Sequence, residues 1–128
     1  MADHAPWFMG KLASDDCCLF VVEHDSTPAG QVRFDIAGQS ATINYSLDAA
    51  FRGRGLATAS VRSAIASFHA EHGEVTDLVA YVKPDNPASC RVFEKLEFAL
   101  DGFDARLLAN RYHIDLTQQA LHGQNGDV

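Results

Sequence analysis

Residues 51–60, FRGRGLATAS, place two arginines and two glycines directly before a stretch of good helix formers. The N-terminus of a helix exposes backbone N–H groups that have no partner within the helix, and it carries a partial positive charge. Glycine presents no side chain that would keep an anion away from these amides, and arginine supplies countercharge. The segment therefore predicts a site for a phosphate or similar anion, although an ordinary tight turn with solvated arginines explains the same residues.

Two common phosphate-binding motifs do not fit this segment. A P-loop ends in Gly-Lys-Ser or Gly-Lys-Thr, which the segment lacks. A dinucleotide-binding fingerprint requires a further glycine at the position where this chain has Thr58. The predicted anion site is therefore of another kind.

The elements around this segment follow from hydrophobic periodicity and turn residues. Strands are predicted over residues 17–24, 30–38, 41–48, 75–83, 98–103 and 109–116. Helices are predicted over residues 6–13 and 55–71, and from Pro87 onward with Asn86 as the N-cap. The first three strands would form an antiparallel meander, and the strand–helix–strand unit after it adds a parallel connection. The predicted fold class is α/β (α+β), with a mixed, mostly antiparallel central sheet.

The composition argues against several classes of function. The chain has 10 Lys and Arg against 17 Asp and Glu, and this net charge of −7 disfavours broad nucleic-acid binding and adhesion to anionic membranes. Three cysteines, two of them adjacent, do not form a disulfide pattern and fit a reducing cytoplasm. We find no signal peptide, no apolar span of roughly 20 residues and no metal-ligand spacing among the histidines. A cytoplasmic protein without a metal is expected, with one domain over 1–116 and a flexible tail over 117–128.

Two segments resemble motifs of one enzyme family. RGRGLA, from Arg52 to Ala57, is similar to the Arg/Gln-x-x-Gly-x-Gly/Ala motif of the GNAT superfamily of N-acetyltransferases. NPASCRVFEKLEF, from Asn86 to Phe98, resembles that family's Asn-x-x-(Ala/Ser)…Tyr-Glu-Lys-Leu-Gly-Phe segment. The two occur in the family's order, one helix and one strand apart, and the resemblance covers about residues 17–116.

The resemblance implies a GNAT-like fold with helices on both faces of the sheet, and acetyl-CoA as the co-substrate. In the family, the loop amides bind the pyrophosphate of acetyl-CoA, and the pantetheine inserts between two strands that splay apart. The positions of this chain that match the family's cofactor-binding elements are Tyr45, Ser46, Leu47, Arg52, Gly53, Arg54, Gly55, Leu56, Ala57, Thr58, Asn86 and Ser89.

The chain departs from the family pattern at three places. The tyrosine that commonly protonates the leaving thiolate corresponds to Phe93, so water, Ser89 or Tyr112 would replace it, or the thiolate leaves unassisted. The glycine before the closing phenylalanine is Glu97, which makes a left-handed helix end more costly there. The family's first strand and first helix, which usually wall the acceptor site, are missing, and residues 6–13 resemble the end of its second helix.

Candidates for the remaining chemistry are few. Asn44 and Ser46 lie on the strand where the family often places a glutamate or a polar group that holds a water, and Asn44 could orient such a water. His113 on the last strand is either a satisfied sheet histidine or a base near the acceptor. The catalytic candidates are Asn44, Ser46, Ser89 and Tyr112.

The expected function is transfer of an acetyl group from acetyl-CoA to a primary amine of a small molecule, an amino sugar or similar, by direct nucleophilic attack. The alternative is a non-catalytic acyl-CoA-binding module, or a truncated remnant that acts with a partner chain. A homodimer, which would supply the missing wall of the acceptor site, is a further expectation.

Overall fold

The computed structural model of this protein describes residues 7–13 as backbone, and residues 16–51 and 55–117 in full. The strands are β1 (Trp7–Ala13), β2 (Cys17–His24), β3 (Thr27–Ala37), β4 (Ser40–Leu47), β5 (Asp77–Val82), β6 (Ala99–Asp104) and β7 (Ala109–Asp115). The helices are α1 (Leu56–Glu71), α2 (Pro87–Lys95) and a short 3-10 helix (Ala49–Phe51). In the chain, α1 therefore connects β4 to β5, and α2 connects β5 to β6.

The strands form one sheet in the order β1-β2-β3-β4-β5-β7-β6. Neighbouring strands are antiparallel except β4 and β5, which run parallel. A parallel pair needs a long crossover connection, and α1 supplies it. The predicted mixed, mostly antiparallel sheet is confirmed.

The predicted elements from residue 17 onward are also confirmed. The start of α2 shows why, because its local signals are specific. Asn86 is the N-cap, and its side-chain Oδ1 accepts a hydrogen bond from the backbone N–H of Ser89 at 3.2 Å. Pro87 occupies the first turn, where its missing N–H costs nothing. The tail predicted over 117–128 lies, apart from Thr117, outside the described residues.

The prediction of a helix over residues 6–13 is wrong. Residues 7–13 form β1, which runs antiparallel to β2 from Trp7 opposite Glu23 to Ala13 opposite Cys18. A helix this short is marginal by itself, and Gly10 lowers its propensity further. Pairing with the edge of β2 gives the backbone of residues 7–13 hydrogen-bond partners instead. The strand conformation of this segment therefore depends on its partner strand.

The two α-helices that the structure describes lie on the same face of the sheet, whereas the resemblance implies helices on both faces. Phe34 on β3 is paired with Ile43 on β4, and Tyr45 lies two residues further on the same face. Phe68 of α1 stacks on Phe34, with ring centroids 4.1 Å apart. Phe93 of α2 lies beside Tyr45, and the centroids of these two rings are 5.9 Å apart. We call this side the helical face, and the side that carries the intervening residues, such as Asn44, the open face.

The hydrophobic core fills the space between the helical face and the two helices. Its largest buried side chains include Phe34, Phe68, Ile43, Leu78 and Tyr112. The two helices also contact each other, so each covers a flank of the other in addition to the sheet. Within the residues that the structure describes, no helix is long and apolar enough to cross a membrane.

Candidate active site

A cleft opens where β4 and β5 separate. The two strands are paired only at their beginnings, residues 40–42 with residues 77–79, and the pairing ends before Leu47 and Val82 are reached. In a regular parallel pair, the ladder of backbone hydrogen bonds would continue and close this gap. The early end of the pairing leaves an opening near the middle of the sheet.

This cleft has a volume of about 250 Å³ and lies between the ends of β4 and β5 and the start of α2. Its lining residues are Ile43, Asn44, Tyr45, Tyr81, Val82, Lys83, Asp85, Asn86, Ser89 and Phe93. Asn44, Tyr45, Asn86 and Ser89 were singled out from the sequence, and the fold brings them together here. Leu47 is buried at the end of β4 and does not line the cleft.

The N-terminus of α1 follows the end of β4 in the chain and has the features of an anion-binding turn. Gly55 is its N-cap with φ 76° and ψ 2°, and no described side chain caps it. A Cβ at Gly55 would meet no atom of the described residues within 4 Å, so the left-handed backbone is the reason for glycine that the described structure shows.

The first turn of α1 contains Leu56, Ala57 and Thr58 and no acidic side chain that would repel an anion. Arg52, Gly53 and Arg54 lie outside the described residues, so their contact with an anion stays a prediction.

Two hydroxyl groups meet across the cleft. Tyr45 Oη, from β4, and Ser89 Oγ, from α2, are 2.8 Å apart and hydrogen-bonded. The Tyr45 ring lies against Phe93, which shares the same wall as Ser89. Phe93 therefore faces the cleft at the position where the family pattern has a tyrosine. Phe93 has no hydroxyl, but the Tyr45 hydroxyl lies on the opposite wall of the cleft.

A second cavity, of about 300 Å³, lies along β3 and β4 next to the first. Its lining residues are Gln31, Arg33, Asp35, Asn44, Tyr45 and Ser46. Arg33 Nε donates to Asp35 Oδ1 at 3.0 Å, and this bond raises the pKa of the guanidinium above its ordinary value. Asn44 and Tyr45 line both cavities, so β4 at these two residues is the wall that the cavities share.

The hydroxyl of Tyr112 is directed to α2 and does not line the cleft. Tyr112 is only 2% exposed, and its hydroxyl makes a long hydrogen bond of 3.4 Å to Glu94 Oε2. Burial raises the pKa of this phenol well above its ordinary value, with a smaller contribution from hydrogen bonding to Cys90. This position does not support the expectation that Tyr112 replaces the missing tyrosine.

His113 has a partner that accounts for it structurally. Its Nε2 lies 2.8 Å from Asp77 Oδ1, and Thr76 Oγ1 donates to the other carboxylate oxygen at 2.9 Å. Hydrogen bonding from His113, with that from Thr76, lowers the pKa of the Asp77 carboxyl. His113 lines neither cavity, so its position favours the satisfied sheet histidine over the base.

One group of metal-ligand side chains occurs elsewhere in the described part of the chain. Cys18, Glu71 and His72 have ligand atoms within 4.8 Å of one another, at the C-terminal end of α1. This is the opposite end of the helix from Gly55, so the group lies apart from the cleft.

Sequence reasoning missed several lining residues. The cleft is also lined by Tyr81, Lys83 and Asp85. These residues line it because the pairing between β5 and β4 ends early, and no sequence pattern signals this early end. Arg33 and Asp35 had a usable signal, because the period-two pattern of β3 places them on the face opposite Phe34.

Comparisons with known proteins give a consistent family. A family model for the acetyltransferase (GNAT) domain matches residues 1–99. Among curated proteins, no sequence matches the chain.

Solved structures share the fold. RimL, a ribosomal L7/L12 α-N-protein acetyltransferase in complex with coenzyme A, superposes with a TM-score of 0.71 at 24% identity, over 78% of this chain and 62% of that one. The spermidine/spermine N-acetyltransferase SpeG from Vibrio cholerae gives 0.76 at 17% identity, over 85% and 72% of the two chains. The N-acetyltransferase PseH of Campylobacter jejuni gives 0.66 at 18% identity, over 80% and 70%. The chain thus spans 62% of the length of RimL.

The family model covers well over half of the chain, and the mixed sheet with its separated β4 and β5 agrees with it. The chain therefore belongs to the GNAT acetyltransferase domain family.

Proposed function

We propose that this protein binds acetyl-CoA in the cleft between β4 and β5 and transfers the acetyl group to a primary amine of a small molecule. The observation that carries the proposal is the early end of the β4–β5 pairing, because it leaves a cleft between the two strands, and a second cavity shares Asn44 and Tyr45 with that cleft as lining residues. Two substrates bound in these cavities would therefore both lie next to the same two residues of β4.

The residues present fit coenzyme A. A narrow cleft suits an extended pantetheine arm, and Lys83 and Asn86 supply polar groups at its rim. The start of α1 would complement the diphosphate, because Gly55 adopts a left-handed conformation there and no side chain among the described residues caps the helix. Arg52 and Arg54 would add countercharge.

The cavity on β3 and β4 suits the acceptor. It combines an ion pair, Arg33 with Asp35, with the uncharged polar groups of Gln31, Asn44 and Ser46. A small polar amine that also carries hydroxyl groups, such as an amino sugar, matches this set of donors and acceptors. Solved proteins of the same fold are described as acting on spermidine or spermine and on a ribosomal protein, so the fold alone does not select the acceptor.

The reaction needs positioning and the removal of one proton. The neutral amine attacks the thioester carbonyl, backbone N–H groups stabilise the oxyanion, and the thiolate of coenzyme A leaves. Asn44 and Ser46 can hold a water that carries the proton away from the amine, since they lie on the strand shared by the two cavities.

The test is an assay of thiol release from acetyl-CoA with amino sugars, polyamines, amino acids and aminoglycosides as acceptors, run beside calorimetric titration of coenzyme A. We expect binding of coenzyme A and turnover with at least one acceptor class. Binding without turnover for every acceptor would contradict the proposed reaction, and absence of binding would contradict the proposed site.

A matched pair of variants locates the diphosphate. Arg54→Ala combined with Gly55→Val should weaken binding of coenzyme A by about 3 kcal/mol, more than 100-fold, because it removes a charge and obstructs the exposed amides. Gly38→Val is the control, since Gly38 also has a positive φ of 65° and open space around it but lies in the β3–β4 turn. Equal affinity in the two variants would refute the assignment.

The second candidate function is a non-catalytic acyl-CoA-binding module. The observation that favours it is Phe93, which faces the cleft without the hydroxyl of the family's tyrosine. Binding of coenzyme A, with no protection from deuterium exchange around Asn44 and Ser46 in the presence of any acceptor, would support this function.

A further inference from the structure

The reaction proposed above leaves one requirement without a residue. When the C–S bond of the thioester breaks, the electron pair stays on sulfur, and the thiolate needs a proton or a hydrogen-bond donor. Phe93 offers neither, and the Tyr112 hydroxyl contacts Glu94 instead of lining the cleft. The inference that follows rests on the proposed function.

The cleft lining contains three hydroxyl-bearing side chains, Tyr45, Tyr81 and Ser89. Tyr81 is paired in register with Arg111, and hydrogen bonding to Asp101 and to Tyr81 raises the pKa of the Arg111 guanidinium. Arg111 is adjacent to Tyr112, whose ring stacks with Phe93 on the helical face, so Arg111 and its register partner Tyr81 lie on the open face. Tyr45 and Ser89 are left, hydrogen-bonded to each other at 2.8 Å across the cleft.

Both residues of this pair are held in place. The Ser89 backbone N–H is bonded to the N-cap Asn86, which fixes Ser89 in the first turn of α2. The Tyr45 side chain comes from β4, at the point where that strand walls both cavities, and its ring packs against Phe93. The Tyr45 phenol, on one wall of the cleft, therefore lies next to Phe93 on the other wall, where the family pattern has a tyrosine.

We propose that Tyr45 donates the proton to the departing sulfur of coenzyme A and that Ser89 positions Tyr45. A phenol ordinarily titrates near 10 and a thiol near 8.5, so the two groups are close enough for efficient proton transfer, whereas an aliphatic alcohol is a far weaker acid. Ser89 O–H donates to Tyr45 Oη, which directs the Tyr45 proton to sulfur and stabilises the phenolate after transfer.

The step balances in atoms and charge. The amine nitrogen forms the new bond to the acetyl carbon, the C–S bond breaks, and the proton of Tyr45 moves to sulfur to give the free thiol. The proton lost by the amine passes to water, and the Tyr45 phenolate takes a proton back from solvent.

The first test compares kcat of Tyr45→Phe and wild type with the acceptor that gives the highest turnover in the thiol-release panel. We expect a loss of about 100-fold in kcat for Tyr45→Phe, with the affinity of this variant for coenzyme A nearly unchanged, and a smaller loss of kcat for Ser89→Ala. Tyr112→Phe is the matched comparison, because it removes a phenol oxygen outside the cleft, and it should lose much less kcat than Tyr45→Phe; a loss as large as that of Tyr45→Phe would overturn the proposal. An unchanged kcat in Tyr45→Phe would overturn the proposal.

A gain-of-function variant strengthens this comparison. Phe93→Tyr restores a hydroxyl at the family's usual position, on the wall that faces Tyr45. Introduced together with Tyr45→Phe, it should recover at least 10-fold of the lost kcat, which a purely structural role of Tyr45 does not predict.

A second readout needs no acceptor. Iodoacetamide alkylates the thiolate form of bound coenzyme A, and chromatography of the S-alkylated product gives the rate across pH. A hydrogen bond from Tyr45 stabilises the thiolate, so the midpoint of this pH profile should lie lower in wild type than in Tyr45→Phe. Identical midpoints would refute the contact between Tyr45 and sulfur, whereas a shifted midpoint in a protein that acetylates no amine would refute the proposed function alone.

Discussion

Replacement of Glu97 by glycine should stabilise the folded protein. Glu97 lines neither of the two cavities, so this prediction concerns stability and not the proposed reaction. Glu97 follows the C-cap of α2 and has a φ of 70°, in the left-handed region. Its backbone N–H donates to Glu94 O at 3.0 Å, and the N–H of Phe98 donates to Phe93 O at 3.0 Å. These bonds end the helix and require the left-handed conformation, which glycine adopts without steric conflict.

The size of the effect follows from two opposing terms. The Cβ of a left-handed residue costs roughly 1–2 kcal/mol, and glycine removes this cost. Glycine also has more conformational freedom in the unfolded chain. This lowers the free energy of unfolding by about 0.4–1 kcal/mol and offsets part of the gain. Glu97→Gly should therefore raise the free energy of unfolding by about 0.5–1 kcal/mol, a rise in Tm of about 2–4 °C for a domain of this length.

Thermal unfolding followed by circular dichroism, with urea denaturation at 25 °C as a second measurement, tests this prediction. Glu97→Ala is the control, because it removes the same carboxylate and keeps the Cβ. Glycine should be more stable than alanine at this position. If the alanine variant were equally or more stable, the assigned backbone conformation and the reasoning from it would be refuted.

Three further predictions concern the sheet and core. Phe68→Ala should lower the free energy of unfolding by about 3–5 kcal/mol in urea titrations, because a fully buried, stacked ring leaves a cavity; a loss below 1 kcal/mol would contradict the packing. Gly30→Ala should cost about 1–3 kcal/mol, because its Cβ would lie 2.2 Å from Ser46 O in the paired strand, and wild-type stability would contradict this register. The pKa of Asp77 is lowered by His113, so this pair stabilises the fold above the ordinary carboxyl pKa of 3.8 and loses its contribution as the pH falls through the lowered value. Asp77→Asn should therefore destabilise the protein at pH 6 and have a smaller effect once the pH is below the lowered pKa of Asp77, as measured by unfolding, and a pH-independent difference would argue against the pair.

Local signals in the sequence were sufficient for most of the fold. The N-cap Asn86 and the following Pro87 marked the start of α2 because both act within a few residues. Period-two alternation in β3 likewise identified the side chains that face the core. The left-handed conformation of Gly55 was predictable for the same reason, since only its own backbone is involved.

Features that depend on distant partners were not predictable in this way. Residues 7–13 become a strand because β2 offers an edge, and nothing within that segment encodes the edge. The placement of both helices on one face, and the bond between Tyr45 and Ser89, arise from packing between elements far apart in the chain. The contact of Arg52, Gly53 and Arg54 with an anion and the formation of a homodimer stay predictions. Light scattering tests the homodimer.

A structure of the protein determined with bound coenzyme A is the most direct test of the proposed site. The pantetheine should lie between β4 and β5, the diphosphate should contact the backbone of Gly55 and the first turn of α1, and the sulfur should approach Tyr45 Oη. Coenzyme A bound elsewhere on the protein, or a cleft closed by continued pairing of β4 with β5, would contradict the site and the reaction proposed from it.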